Sequence, residues 1–120
     1  MTSYDIAHQL VTSVRDSEQY KEFINMKEKL KQDDENCELV KKFQIKQLEI
    51  KKAQFYQKEV TQNQKKEYET VYSVLRANPV CRQYLDAEFQ ISRLLSDIQR
   101  ILGEVEQEAA PIGLENLKFN

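Results

Sequence analysis

Apolar positions recur every three or four residues along most of the chain and almost never alternate, the pattern of helices buried on one side. The first such stretch, Tyr4 to Arg15, carries Ile6, Ala7, Leu10, Val11 and Val14 on one stripe, with Ser3 placed to cap it. Ser17 and Glu18 open a second stretch to about Leu30, in which Tyr20, Phe23, Ile24, Lys27 and Leu30 are expected to face inward. The break at Asp16-Ser17 holds neither Gly nor Pro, so the pattern leaves open whether these are two helices or one bent helix. Asp33-Asp34-Glu35-Asn36 starts a third helix, through about Phe55. Leu39, Val40, Phe43, Gln47 and Ile50 lie along one of its faces, with Leu48 and Phe55 to the side. The polar stretch Gln57 to Thr61 interrupts the pattern, and Thr61 with Gln64 forms a capping-box signature. The helix it opens carries Tyr68, Val71, Tyr72 and Leu75. Together the third and fourth helices predict an antiparallel hairpin with its tip near 56–62.

Asn78-Pro79 is the sharpest boundary, a capping residue followed by a proline at the first helical position, where its missing N–H costs nothing. The strongest periodicity follows it. Val80, Tyr84, Ala87, Ile91, Leu94, Ile98, Ile101 and Val105 repeat at spacings of four and three, a seam for a bundle or for an oligomer. A helix from Pro79 to about Glu108 spans about 45 Å at 1.5 Å per residue, more than a small domain needs. Gly103 in its last turns is a place for fraying to begin. Cys81, Leu85, Leu95 and Leu102 form a second apolar line, with Phe89 elsewhere. Two lines predict two partners, one being the chain's own bundle and the other another subunit. Beyond Pro111, residues 112–120 are expected to be loose or docked as extended chain.

Composition narrows this to an all-α fold: an antiparallel bundle of about five helices, one domain over 1–110 with a short tail over 111–120. Only 2 Gly and 2 Pro in 120 residues leave too few turns for a sandwich or barrel. A net charge of −2 gives no global reason to bind nucleic acid or an anionic membrane. No apolar run approaches the ~18 residues of a membrane span, and the N-terminus shows no secretion signal, so a cytoplasmic location is expected. Cys37 and Cys81 read as reduced thiols inside helices.

Little chemistry is on offer. His8, the single histidine, lies at the edge of the first stripe with no nucleophile or orienting carboxylate beside it. Neither cysteine has a second ligand at metal spacing, and two glycines cannot write a phosphate-binding loop. No enzyme activity, cofactor or metal is expected. Charge is more informative. Between residues 41 and 67, eight lysines stand against three glutamates, a balance of +5; between 81 and 108, three arginines stand against six acids, a balance of −3. The basic hairpin and the acidic long helix are suited to docking on each other between subunits or on partners. Lys51, Lys52, Phe55, Tyr56, Lys65 and Lys66 also make a possible nucleic-acid face, by phosphate contact and stacking. A chaperone-like clamp using the aromatic tip is a third reading.

The order of elements resembles the YlbF/YmcA family of small helical proteins of Gram-positive bacteria, and its YheA branch most. The resemblance rests on Ala7-His8-Gln9-Leu10, on the run from Ser17 to Phe23, on Leu30-Lys31-Gln32-Asp33, and above all on the run from Leu75 to Glu88. It implies a helical bundle that forms dimers or higher oligomers without enzymatic activity. It also implies regulatory adaptors of competence, sporulation and biofilm formation, acting with related family members or as accessory factors to a membrane-associated endoribonuclease. Certain members carry tail cysteines associated with iron–sulfur binding. Here Pro111 to Asn120 contains no cysteine, so the resemblance brings no cluster with it.

Overall fold

The computed structural model describes residues 1–114 and residue 116, and among these it contains five α-helices and no strand. They are α1 (Ser3–Arg15), α2 (Glu18–Lys31), α3 (Asp34–Phe55), α4 (Gln62–Ala77) and α5 (Pro79–Glu108). Polar side chains set most of the boundaries. Thr2, not Ser3, caps α1: its Oγ1 accepts from the Asp5 N–H at 3.2 Å, while its own N–H donates to the Asp5 carboxylate at 2.9 Å. Reciprocal bonds of this kind satisfy two orphan donors at once, which moves the start one residue earlier than the apolar stripe implies. Ser17 makes a true corner between α1 and α2. Its Oγ donates to the Val14 carbonyl at 2.6 Å and accepts from the Tyr20 N–H at 3.2 Å, so the two are separate helices.

Asp33 opens α3 by accepting from the N–H groups of Glu35 and Asn36 at 2.9 and 3.2 Å, and Thr61 and Gln64 form the expected capping box of α4. The tip between them closes through Gln57 at φ +57°, a left-handed conformation that a glycine would adopt more easily. At the next corner Asn78 ends α4 and caps α5, its Oδ1 accepting from the Cys81 N–H at 3.1 Å. Helix α5 runs unbroken through Gly103 for 30 residues. Leu114 N–H reaches the Pro111 carbonyl at 2.9 Å, so the tail turns at 111–114 instead of running extended. Residue 115 and residues 117–120, part of the expected tail, lie outside the described residues.

The core gathers Met26 and Leu30 of α2, Val40 and Phe43 of α3, Val71 and Leu75 of α4, and Cys81, Tyr84, Ala87 and Ile91 of α5. It therefore sits on the first half of the long helix only. Within α2 Met26 and Leu30 are buried and Tyr20 and Phe23 half-buried, so of the expected inward residues Ile24 and Lys27 fall outside and Met26 takes their place. Ile24 stays exposed, and Lys27 lies over the Phe23 ring at 5.8 Å, covering an apolar face with its stem while its charge stays in water. Phe43 packs on Tyr68 and Tyr72 to seal the hairpin, with ring centroids 5.4 and 5.7 Å apart.

Helices α3 and α5 start side by side and run the same way, tied by Asn78 donating to Asn36 at 2.8 Å and Gln44 donating to Glu88 at 3.2 Å. Past those points they part, and their far halves leave one another uncovered. The result is a flat molecule of 47 × 39 × 16 Å with a radius of gyration of 18.7 Å. A compact domain of this length has a radius of about 14 Å. Its surface of 9733 Å² compares with about 6,800 Å² for a globular monomer of the same mass.

Candidate functional site

The eight seam residues of α5 divide by position. Tyr84, Ala87 and Ile91 are buried and Val80 is half-buried against the core, whereas Leu94 and Ile98 are only half-covered. Ile101 and Val105 are 61% and 63% exposed. The first half is thus a bundle seam, and among the described residues the cover thins along the second half until Ile101 and Val105 are largely bare. On the second apolar line Cys81 is buried and Leu85 is half-buried against the core, while Leu95 and Leu102 are exposed.

Helix α1 extends this bare surface. It is 13 residues long, has no buried residue, and packs only on α2. Leu10 and Val14 of α1, Phe23 of α2, and Ile91, Leu95 and Ile98 of α5 line an open apolar groove of about 640 Å³. Apolar residues on three helices converge there with Arg15, Glu88 and Ser92 at the margin. Burial of such a surface is favourable by roughly 25 cal/mol per Å², so its exposure is a standing drive to associate. Across the Ser17 corner, α1 brings Leu10, Val11 and Val14 to its wall.

Polar detail beside the groove is structural in character. Tyr84 donates to Glu88 at 3.1 Å, and Gln44 donates to the same carboxylate oxygen. Burial, and secondarily the Glu88 carboxylate, push the Tyr84 phenol up to about 12. A neutral phenol held there is a hydrogen-bond donor, not a base. Cys37 donates to the Leu30 carbonyl at 3.1 Å and Cys81 to that of Asn36 at 3.8 Å. Burial above all, and then the Asp33 charge, raise the Cys81 thiol, the opposite of what activates a nucleophile. His8 is exposed, and among the described residues no three His, Cys, Asp or Glu side chains gather as metal ligands would.

The residues singled out at the hairpin lie together at its tip and are all exposed: Lys51, Lys52 and Phe55 in the last turns of α3, Tyr56 just after, and Lys65 and Lys66 at the start of α4. Phe55 is 81% exposed and meets Tyr56 edge-on at 5.2 Å. Lys46, by contrast, is taken up within the hairpin, 2.8 Å from Glu67 and 3.7 Å from Glu49. The hydrogen bond with Glu67 chiefly raises the Lys46 ammonium and lowers the Glu67 carboxyl, which also accepts from Asn63 at 3.1 Å. Sequence reasoning found the tip from its lysines and the seam from its heptads. It missed the groove, because no pattern within α1 tells which helix its stripe meets.

Comparison with known proteins matches residues 3–105 to a family described as control of competence regulator ComK, YlbF/YmcA. A UPF0342 protein of Desulfitobacterium hafniense is 40% identical over 116 residues, covering 97% of this chain and 94% of that protein. Another from Symbiobacterium thermophilum is 37% identical over 101 residues, covering 84% and 90%. A solved structure, a protein of unknown function (DUF964) from Bacillus stearothermophilus, superposes with a TM-score of 0.71 at 17% identity over 88% of this chain and 92% of that one. At that identity the likeness is one of fold.

Proposed function

The chain belongs to the YlbF/YmcA family of competence-control proteins, and we propose that it acts there as a non-enzymatic oligomeric adaptor that holds protein partners. The observation that carries this reading is the bare apolar surface of α1 and the second half of α5. Ile101, Leu102 and Val105 remain more than half exposed on a helix whose first half is a packed core element. A surface excess of about 3,000 Å² over a globular monomer is more than the ~800 Å² that each partner gives to a standard interface. The description of the family as controlling a regulator points to protein partners, among which related family members fit the same helical surfaces. No helix among the described residues is long and apolar enough to cross a membrane, which suits work in the cytoplasm.

Light scattering coupled to gel filtration tests the reading. The wild-type chain at micromolar concentration is expected to be a dimer or larger, and Ile101→Asp with Leu102→Asp to be monomeric with unchanged helicity. Both positions face solvent here, so their loss costs the isolated fold little. A wild-type monomer whose behaviour these substitutions leave unaltered removes the basis of the proposal.

A further inference from the structure

Two apolar stripes of opposite charge lie uncovered on this chain. The first is on the outer side of α3, where Ile45, Leu48 and Phe55 are 57%, 66% and 81% exposed. With Lys52 between them they follow spacings of three, four and three, the geometry by which one helix lies along another. Lys51 and Lys58 flank this stripe, and neither they nor Lys52 within it form an ion pair among the described residues. The second stripe is the end of α5, Ile101, Leu102 and Val105, flanked by Glu104, Glu106 and Glu108, likewise without ion pairs among the described residues. Each stripe is about 15 Å long or less at 1.5 Å per residue.

The glutamates also break a local rule. The last turn of α5 has no basic residue, and negative charge there opposes the partial negative charge of the helix C-terminus, at about 0.3–1 kcal/mol per residue. A cation from outside the helix would remove that conflict. Lys65 and Lys66 stand equally against the dipole at the start of α4, which has no acid in its first turn. The two stripes do not meet within one chain, because the hydrogen bonds between α3 and α5 among the described residues, from Asn78 and Cys81 to Asn36 and from Gln44 to Glu88, lie toward their near ends.

We propose that the basic outer stripe of the α3–α4 hairpin docks on the acidic end of α5 in a second copy of this chain, reciprocally about a two-fold axis. A second copy is the favoured occupant because both halves of the complementary pair belong to the same sequence. One two-fold contact covers both stripes twice. Pairing α5 with α5 instead leaves Ile45, Leu48 and Phe55 bare. The inference rests on the oligomeric reading above and specifies which surfaces meet.

A charge swap tests it. Lys51→Glu, Lys52→Glu and Lys58→Glu in one chain, and Glu104→Lys, Glu106→Lys and Glu108→Lys in another, all change solvent-facing residues. Circular dichroism checks that each keeps its helicity. Each variant alone is expected to self-associate about tenfold or more weakly at low salt. Mixed one to one, the two should regain wild-type association, since both reciprocal contacts are then complementary, and a chain carrying all six changes should self-associate like wild type. If the wild type associates and neither variant weakens it, the surfaces are wrong while the adaptor reading stands. If the lysine changes abolish salt-sensitive retention on single-stranded RNA but leave association intact, the stripe faces nucleic acid and the proposal falls. A monomeric wild type removes this inference and the adaptor reading together.

Discussion

Replacing Asn78 by Ala removes two interactions from the corner on which the arms of the molecule pivot. The Oδ1 atom caps α5 by accepting from the Cys81 N–H at 3.1 Å, and Nδ2 donates to Asn36 at 2.8 Å across to the start of α3. Loss of a good N-cap costs about 1 kcal/mol, within a range of roughly 0.5–2. Loss of the half-buried amide pair adds about 1 kcal/mol, since Asn36 keeps a polar group with its partner gone. The expected total is about 2 kcal/mol, a large share of the ~5–15 kcal/mol of a small domain. Urea unfolding followed by circular dichroism measures it, at fixed protomer concentration so that association does not enter the difference. Asn78→Asp separates the two parts, because the carboxylate still accepts from Cys81 and suits a helix N-terminus but donates nothing to Asn36. It should recover about half the loss. A cost below about 0.5 kcal/mol for Asn78→Ala, or equal costs for Ala and Asp, would refute the account of this corner.

Two further outcomes follow from the same geometry. Tyr84 is raised to about 12 in the folded chain, against about 10 when unfolded, so the folded state holds the proton more tightly. Its contribution to stability is complete below pH 10 and is lost as pH rises through 12. Urea midpoints should fall across that window, and Tyr84→Phe should flatten the part of the fall owed to this residue. At the hairpin tip, Gln57 holds φ +57°, so Gln57→Gly should raise stability by about 0.5–1 kcal/mol in thermal or urea unfolding despite the added freedom of the unfolded chain. A decrease there would show that the Gln57 side chain contributes more than its backbone conformation costs.

The helices were legible in the sequence because each is bounded by side chains that act locally. Ser17, Asp33, Thr61 and Asn78 bond amides two or three residues away, and such signals need no knowledge of the rest of the fold. The inward face of α2 was read rightly at Tyr20, Phe23 and Leu30 and wrongly at Ile24 and Lys27, for the converse reason. Whether Ile24 or Met26 faces the core depends on how α2 lies against α5, and both choices leave a helical period intact. The seam of α5 shows the same limit. Val80 and Val105 are equivalent in the heptad pattern, yet one packs on the core and the other is bare, because periodicity records what a face prefers and not how far the neighbouring helices reach. The Gln57 turn gave no signal, since a left-handed residue other than glycine leaves no mark in composition. The family, by contrast, was readable from the run around Asn78-Pro79, where caps and packing are set together.

Helix α1 has a consequence for how the protein can be watched. At 13 residues it is near the length below which an isolated helix is marginal in water, and no side chain of its own is buried. Its amides should therefore exchange with solvent through local opening, well ahead of those around the fully buried Leu75. Whatever settles over Leu10, Val11 and Leu95 slows that opening without touching a reporter group. Protection along the first fifteen residues is thus a built-in gauge of occupancy, readable in a chain with no tryptophan to report it by fluorescence.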